Sequence, residues 1–308
     1  VNEGHLCPGE INFEKRCYAV KKRFYIKLTA YIILIPFLIP LFTGCSRHAV
    51  TLSYDSIEHI AVYQADKYFN LNPAQKSALK KIIIEKRKEH RRSFLPGYLV
   101  ITKKMKAALK KGVTQDDLNY FNSALKHEVS RAAVLLADDC ASLLKTLSPE
   151  QINYFESSVK KYNTEQAKKI SADDVKRKKY QLKKLMKTYK RIYGDFTPEQ
   201  KSEIRSLYKN FPDTLGERIP YLEATQKQFT ALLRNSSQQE LSSFLKKWMT
   251  RDESLLSPAH LRKTLTAKKM SDELFLRVDR KIITAEQRRH AVDFAGEIED
   301  IIKSLQKK

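Results

Sequence analysis

Between Glu85 and Ser93 the chain reads EKRKEHRRS, nine residues without an apolar side chain inside an otherwise amphipathic segment. Pro96, Gly97 and Tyr98 follow. A proline cannot donate to the carbonyl four residues back, here that of Arg92, so a helix through this stretch must kink or stop beside it. His90, Arg91 and Arg92 therefore precede a break, with Tyr98 beyond it, and these four residues form a candidate anion site. Guanidinium groups grip a carboxylate or phosphate in bidentate fashion, and an imidazole gains charge as pH falls toward about 6.5. The plain alternative is a solvated face of a long helix.

Other chemistry falls short of its spacing. His127-Glu128 opens like a zinc-protease helix, but Arg131 stands where the second histidine is needed, so no metal site is expected. Asp138-Asp139 and Asp173-Asp174 are adjacent acids, and sequence neighbours on a helix point about 100° apart, which makes neither pair a natural dyad. The chain's 8 glycines form no phosphate-cradling loop. No serine sits in a strand–turn–helix elbow. The expectation is a protein that is not an enzyme, with no catalytic residues and no cofactor; a cell-wall hydrolase is the enzymatic alternative.

Residues 21–44 carry a basic cluster (Lys21, Lys22, Arg23, Lys27) and then an apolar run from Leu28 to Phe42. That run is short for a membrane span, which needs roughly 20 residues, and Pro36 and Pro40 interrupt it. A charged start, a short apolar middle and small residues at the end make a secretory signal peptide. Phe42-Thr43-Gly44-Cys45 resembles the lipobox of bacterial lipoproteins, with Phe42 in place of the usual leucine. The resemblance implies cleavage before Cys45 and lipidation of its thiol. Residues 1–20 then read as an extension from an early start codon, 45–53 as a lipidated polar tether, and 54–308 as one helical domain. Ser46, rather than aspartate, favours the outer membrane by analogy with lipoprotein sorting, and the body is expected to face the periplasm.

Without residues 1–44 the chain holds 52 Lys+Arg against 32 Asp+Glu, a net charge of +20. Such a charge attracts polyanions. In an envelope these are phospholipid headgroups, lipopolysaccharide phosphates and peptidoglycan carboxylates; export makes nucleic acid an unexpected partner. A solvated lysine-rich surface is the plain alternative. Cys7 and Cys17 precede the cleavage point and Cys45 takes lipid, which leaves Cys140 alone and no disulfide within the mature chain. Cys140 sits in an apolar stripe running Leu118, Phe121, Leu125, Val129, Ala132, Leu136, Cys140, Leu143, Leu147, so it is expected to be structural.

Four segments share one pattern: Leu71-Asn72-Pro73-Ala74-Gln75, Leu147-Ser148-Pro149-Glu150-Gln151, Phe196-Thr197-Pro198-Glu199-Gln200 and Ile283-Thr284-Ala285-Glu286-Gln287. Asn, Ser or Thr caps a helix, proline suits its first position, and glutamine three residues after the cap completes a capping box. Intervals of 76, 49 and 87 residues between the caps are too irregular for a solenoid. Further starts are expected at Thr114, near Ser171-Asp174, at Ser237 and at Ser257, and no stretch alternates as a strand. The fold class read from the sequence is all-α, an elongated multi-helix array or bundle behind the lipidated N-terminus.

Leu-Thr-x-x-Gln helix starts in a basic, exported helical chain resemble the motif of Spy-type periplasmic chaperones. Nearly the whole mature chain resembles a family of uncharacterised Gram-negative lipoproteins known only as a domain of unknown function. Its order of parts is a lipobox, a Leu-x-x-x-Gln helix, a His-Arg…Leu-Pro-x-Tyr stretch (here His90-Arg91 and Leu95 to Tyr98) and further Leu-Thr-x-x-Gln starts. The lipoprotein family brings no activity with it, while the resemblance to the Spy type implies an envelope lipoprotein, held to the membrane through its lipid, that binds a protein client or an anionic partner in a chaperone-like manner. The structural alternative is a scaffold binding anionic peptidoglycan or lipopolysaccharide.

Overall fold

The computed structural model describes residues 47–170 and 173–307; the export segment and Cys45 lie outside the described residues. Within them the chain is all-α, with no strand. Its helices are α1 (Arg47–Asp55), α2 (Ile57–Phe69), α3 (Pro73–Ser93), α4 (Leu95–Lys111), α5 (Gln115–Leu144), α6 (Pro149–Lys169), α7 (Asp174–Tyr193), α8 (Pro198–Tyr208), α9 (Arg218–Asn235), α10 (Gln238–Thr250), α11 (Pro258–Arg277) and α12 (Ala285–Gln306). A π turn (Val278–Ile282) joins the last two.

Two apolar cores organise these helices. The first gathers side chains from α1, α2, α3, the start of α4, the second half of α5, α6, α9, α10 and the end of α12. The second gathers the end of α4, α7, α8, α11, the π turn and the first half of α12. Leu95 and Tyr98 of α4 serve the first core while Ala108 and Leu109 serve the second. On α12 the order is reversed, with Ala291 and Ala295 in the second core and Ile298, Ile302 and Leu305 in the first. The two helices therefore run antiparallel and tie the cores together. Ala108, Ala291 and Ala295 are at most 1% exposed, and their small side chains let the helices approach closely.

All four Asn/Ser/Thr residues of the repeated pattern form capping boxes. In the fold the four starts meet in two pairs. Gln75 Nε2 donates to Gln151 Oε1 at 3.1 Å, and Gln151 Nε2 donates back to Gln75 Oε1 at 2.7 Å. Each amide also reaches the carbonyl just before the partner's motif, Thr146 for Gln75 and Asn70 for Gln151, both at 2.9 Å. Gln200 and Gln287 repeat the arrangement at 2.9 and 3.1 Å, with the carbonyls of Ile282 and Asp195 at 2.8 and 2.7 Å. One glutamine thus caps its own helix and locks a second helix start to it. Each bond is worth about 0.5–1.5 kcal/mol net. The first junction belongs to the first core and the second to the other.

Arg47–Ser53, expected as a polar tether, is helix α1, so the helical body begins before residue 54. The reason is periodicity. Val50, Tyr54, Ile57, Ala61, Ala65 and Tyr68 follow one another in steps of three and four, and all are buried. On α5 the stripe is buried at Ala132, Leu136 and Cys140, whereas Leu125 remains 39% exposed. Burial pushes the Cys140 thiol up to about 12.

Candidate functional site

The basic stretch ends α3, and Phe94 separates α3 from α4, so the break comes two residues before Pro96, which lies in the first turn of α4. His90 is only 1% exposed. It lies two turns beyond Ile83 and so continues the buried face of α3 with a polar side chain. Its Nδ1 is 3.0 Å from the Tyr54 hydroxyl and its Nε2 3.2 Å from the Tyr98 hydroxyl. Its ring stacks on Phe94 at 5.0 Å. A neutral imidazole offers one donor and one acceptor, and a hydroxyl can match either. Burial, then the charge of Arg131, lowers the imidazole to about 3. Burial also lifts both phenols, Tyr54 to about 12 and Tyr98 in the same direction. His90 therefore stays neutral near pH 7 and through mild acid, contrary to the charge expected of it.

Of the three arginines of the stretch, Arg91 and Arg92 are the ones expected at the site. Arg91 donates to Asp55 Oδ1 at 3.3 Å and lies 5.5 Å from the Tyr54 ring centre, while Arg92 is exposed. The guanidinium at the break is instead that of Arg131. It bonds both Glu128 oxygens at 3.1 and 2.9 Å, lies 4.3 Å over Phe94 and donates to the Ser93 carbonyl at 3.2 Å. Gly97 makes room for Glu128, since a Cβ there would stand 3.3 Å from its Oε1. The structure thus brings His90 and Tyr98 together, keeps Arg91 against Tyr54 at the edge of the node and leaves Arg92 exposed.

A second polar node, unforeseen in the sequence, lies in the second core. Asp279 of the π turn is 0% exposed. Its carboxylate accepts from the Val113 N–H at 2.7 Å and the Tyr193 hydroxyl at 3.1 Å, and pairs with Arg288 at 3.3 Å. Arg288 also donates to the Leu109 carbonyl at 2.8 Å and to the Asp279 carbonyl. Gly112, at φ +92°, turns the chain after α4 so that the Val113 N–H faces the carboxylate. Burial and the Asp279 charge beside it push the Tyr193 phenol up.

An open concavity of about 470 Å³ lies between α6 and α9. Val159, Thr164 and Ala167 line it on one side and Thr230 on the other, while Glu156, Lys160, Glu223 and Lys227 add charges of both signs. Asn163 and Gln226 are buried in its lining, the Asn163 amide donating to Gln226 Oε1 at 2.6 Å. A signal for this pair was present. Phe155, Val159, Tyr162 and Gln166 on α6, and Leu222, Gln226, Phe229 and Leu233 on α9, make buried stripes with polar residues at core spacing.

Fold and site together define an all-helical protein of two cores, each with a glutamine-locked junction and a buried polar node, and an open cleft between two helices of the first. The chain belongs to a family of unknown function, DUF6279, whose match covers residues 67–260. No curated protein and no solved structure matches the chain.

Proposed function

We propose that the protein is an outer-membrane lipoprotein, anchored through Cys45, whose periplasmic helical body binds unfolded polypeptide segments in a chaperone-like manner. The observation that carries this reading is the α6–α9 cleft. Its wall offers Ala167 as exposed apolar contact over the largely buried Val159, and its charges are two acids and two lysines. A neutral balance of charges selects no one sign of ligand, which suits a segment of varied sequence and not a polyanion. Asn163 and Gln226 satisfy each other, so the cleft can stand empty without unpaired amides there.

The test fills the cleft. Ala167 is exposed on its wall, so Ala167→Trp should occupy the space without opening a core. The full chain in nanodiscs is titrated with a labelled, permanently unfolded polypeptide, and fluorescence polarisation is read. The dissociation constant should rise about tenfold or more for Ala167→Trp. Equal binding by the two proteins would refute the cleft as the binding site.

A further inference from the structure

The most one-sided surface among the described residues is on α7, well away from the basic end of α3. Its twenty residues carry nine bases and, at the first position, one acid, Asp174. At about 100° per residue, Lys176, Lys179, Lys183, Lys187 and Lys190 fall on one side. All five are exposed. The adjoining side holds Leu182, Leu185 and Met186, half-buried against the second core, and the buried Tyr189 and Tyr193. Among the described residues, acids pair with this row only at its ends, Asp173 beside Lys176 at 3.9 Å and Asp195 beside Lys190. Arg177 pairs with Asp213 on the flank.

Lys179, Lys183 and Lys187 are successive i, i+4 neighbours, and like charges at that spacing oppose the helix that holds them. α7 thus maintains a row of repulsion along a helix about 30 Å long. Beside the row stands one large apolar side chain left in water, Tyr180 at 42% exposure, while Val175, 67% exposed, begins the Leu182 stripe. Lys184 lies 4.3 Å over the Tyr180 ring. The apolar side of α7 is taken up by the second core, so this basic face with an exposed tyrosine suits electrostatic contact with an anionic lipid surface and not insertion. Lysine, a hydrated point charge, suits a fluid field of phosphates better than a fixed bidentate site.

We infer that the α7 face is a docking surface for an anionic lipid bilayer, a second membrane contact besides any lipid anchor. The inference is independent of the α6–α9 cleft. Its effect would be to hold the tethered body against the headgroups.

The test uses the full chain reconstituted in vesicles, so that attachment through the N-terminal segment is the same in every arm. Tyr180→Trp places a reporter on the face, and Leu265→Trp places a control on an exposed position of α11. Quenching by bromine-labelled lipids is compared between vesicles of phosphatidylcholine alone and vesicles with phosphatidylglycerol. The α7 reporter should be quenched only when the anionic lipid is present, and the control should not respond. Replacing Lys179, Lys183 and Lys187 with glutamine should lower the docked fraction about tenfold or more, as should about 0.5 M salt. Quenching independent of the anionic lipid, equal quenching of the α11 reporter, or unchanged quenching after the lysine replacements would overturn the inference. So would protection of the same lysines from acetylation by soluble peptidoglycan fragments with none by anionic vesicles.

Discussion

At the break between α3 and α4 the first core buries an imidazole between two phenols, whereas at the break between α11 and α12 the second buries a carboxylate against a guanidinium. Both nodes occupy places where a helix is interrupted and backbone groups need partners. The Ser93 carbonyl at the first is taken by Arg131, and the Asp279 carbonyl at the second by Arg288. The chemistry differs in what loss of one partner leaves behind. Removing a phenol from the first node leaves a neutral ring short of one hydrogen bond, while removing the carboxylate from the second leaves a largely covered guanidinium without its counter-charge. The first node should therefore be sensitive to pH and the second to mutation.

The sharpest way to break the comparison is Asp279→Ala. It leaves the Val113 N–H and the Tyr193 hydroxyl without their acceptor and takes the carboxylate from Arg288, which keeps only carbonyl partners, and a loss of about 3 kcal/mol or more is expected in denaturant unfolding. A loss below about 1 kcal/mol would mean that the pair carries no more than an exposed one.

Acid should act on the other node. The His90 pKa is depressed from 6.5 to about 3, so the unfolded chain binds the proton more readily. The neutral ring's contribution is present above pH 6.5 and lost progressively as pH falls toward 3. Between pH 7 and 4.5 the loss should be on the order of 2–3 kcal/mol, measured by urea unfolding at each pH. His90→Gln should flatten that dependence even though it lowers stability at pH 7. An unchanged slope would show that His90 is not the titrating group.

The glutamine junctions sharpen the comparison from the other side, because they are alike where the nodes are not. Gln75→Ala and Gln200→Ala should each cost about 1–3 kcal/mol by thermal unfolding. A double-mutant cycle of Gln75 with Gln151 should show coupling of about 0.5 kcal/mol or more. Strict additivity would reduce the junctions to separate caps.

The smallest effects are expected around the first node. Arg92→Ala should change stability by no more than about 0.5 kcal/mol, and Arg91→Ala, which loses the Asp55 pair, by up to about 1 kcal/mol, both read by denaturant unfolding. A larger loss for Arg92 than for Arg91 would contradict the outward turn of Arg92.

Helix starts were legible because capping is local chemistry. Thr114 with Asp117 and Ser237 with Glu240 cap where a short window of residues says they should, and the start expected near Ser171-Asp174 is capped by Asp173. The polar nodes were not legible for the opposite reason. EKRKEHRRS looks solvated because hydropathy treats arginine and histidine as surface, yet Arg87 and His90 extend the buried face of α3 past Ile83. Asp279 sits among Arg277, Arg280 and Lys281, in text that reads as an ordinary charged helix end. Nothing within a few residues announces that Val113 and Tyr193 will donate to it.

The sequence by itself determined an all-helical chain, its capped helix starts and the burial of Cys140, because each follows from residues within a few turns of one another. Only the tertiary structure decided which starts pair, since Gln75 and Gln151 stand 76 positions apart and Gln200 and Gln287 stand 87 apart. It also decided which charges are buried. A charged side chain can leave water when partners from distant helices replace its hydration, and that exchange is fixed by packing and not by the side chain's own polarity.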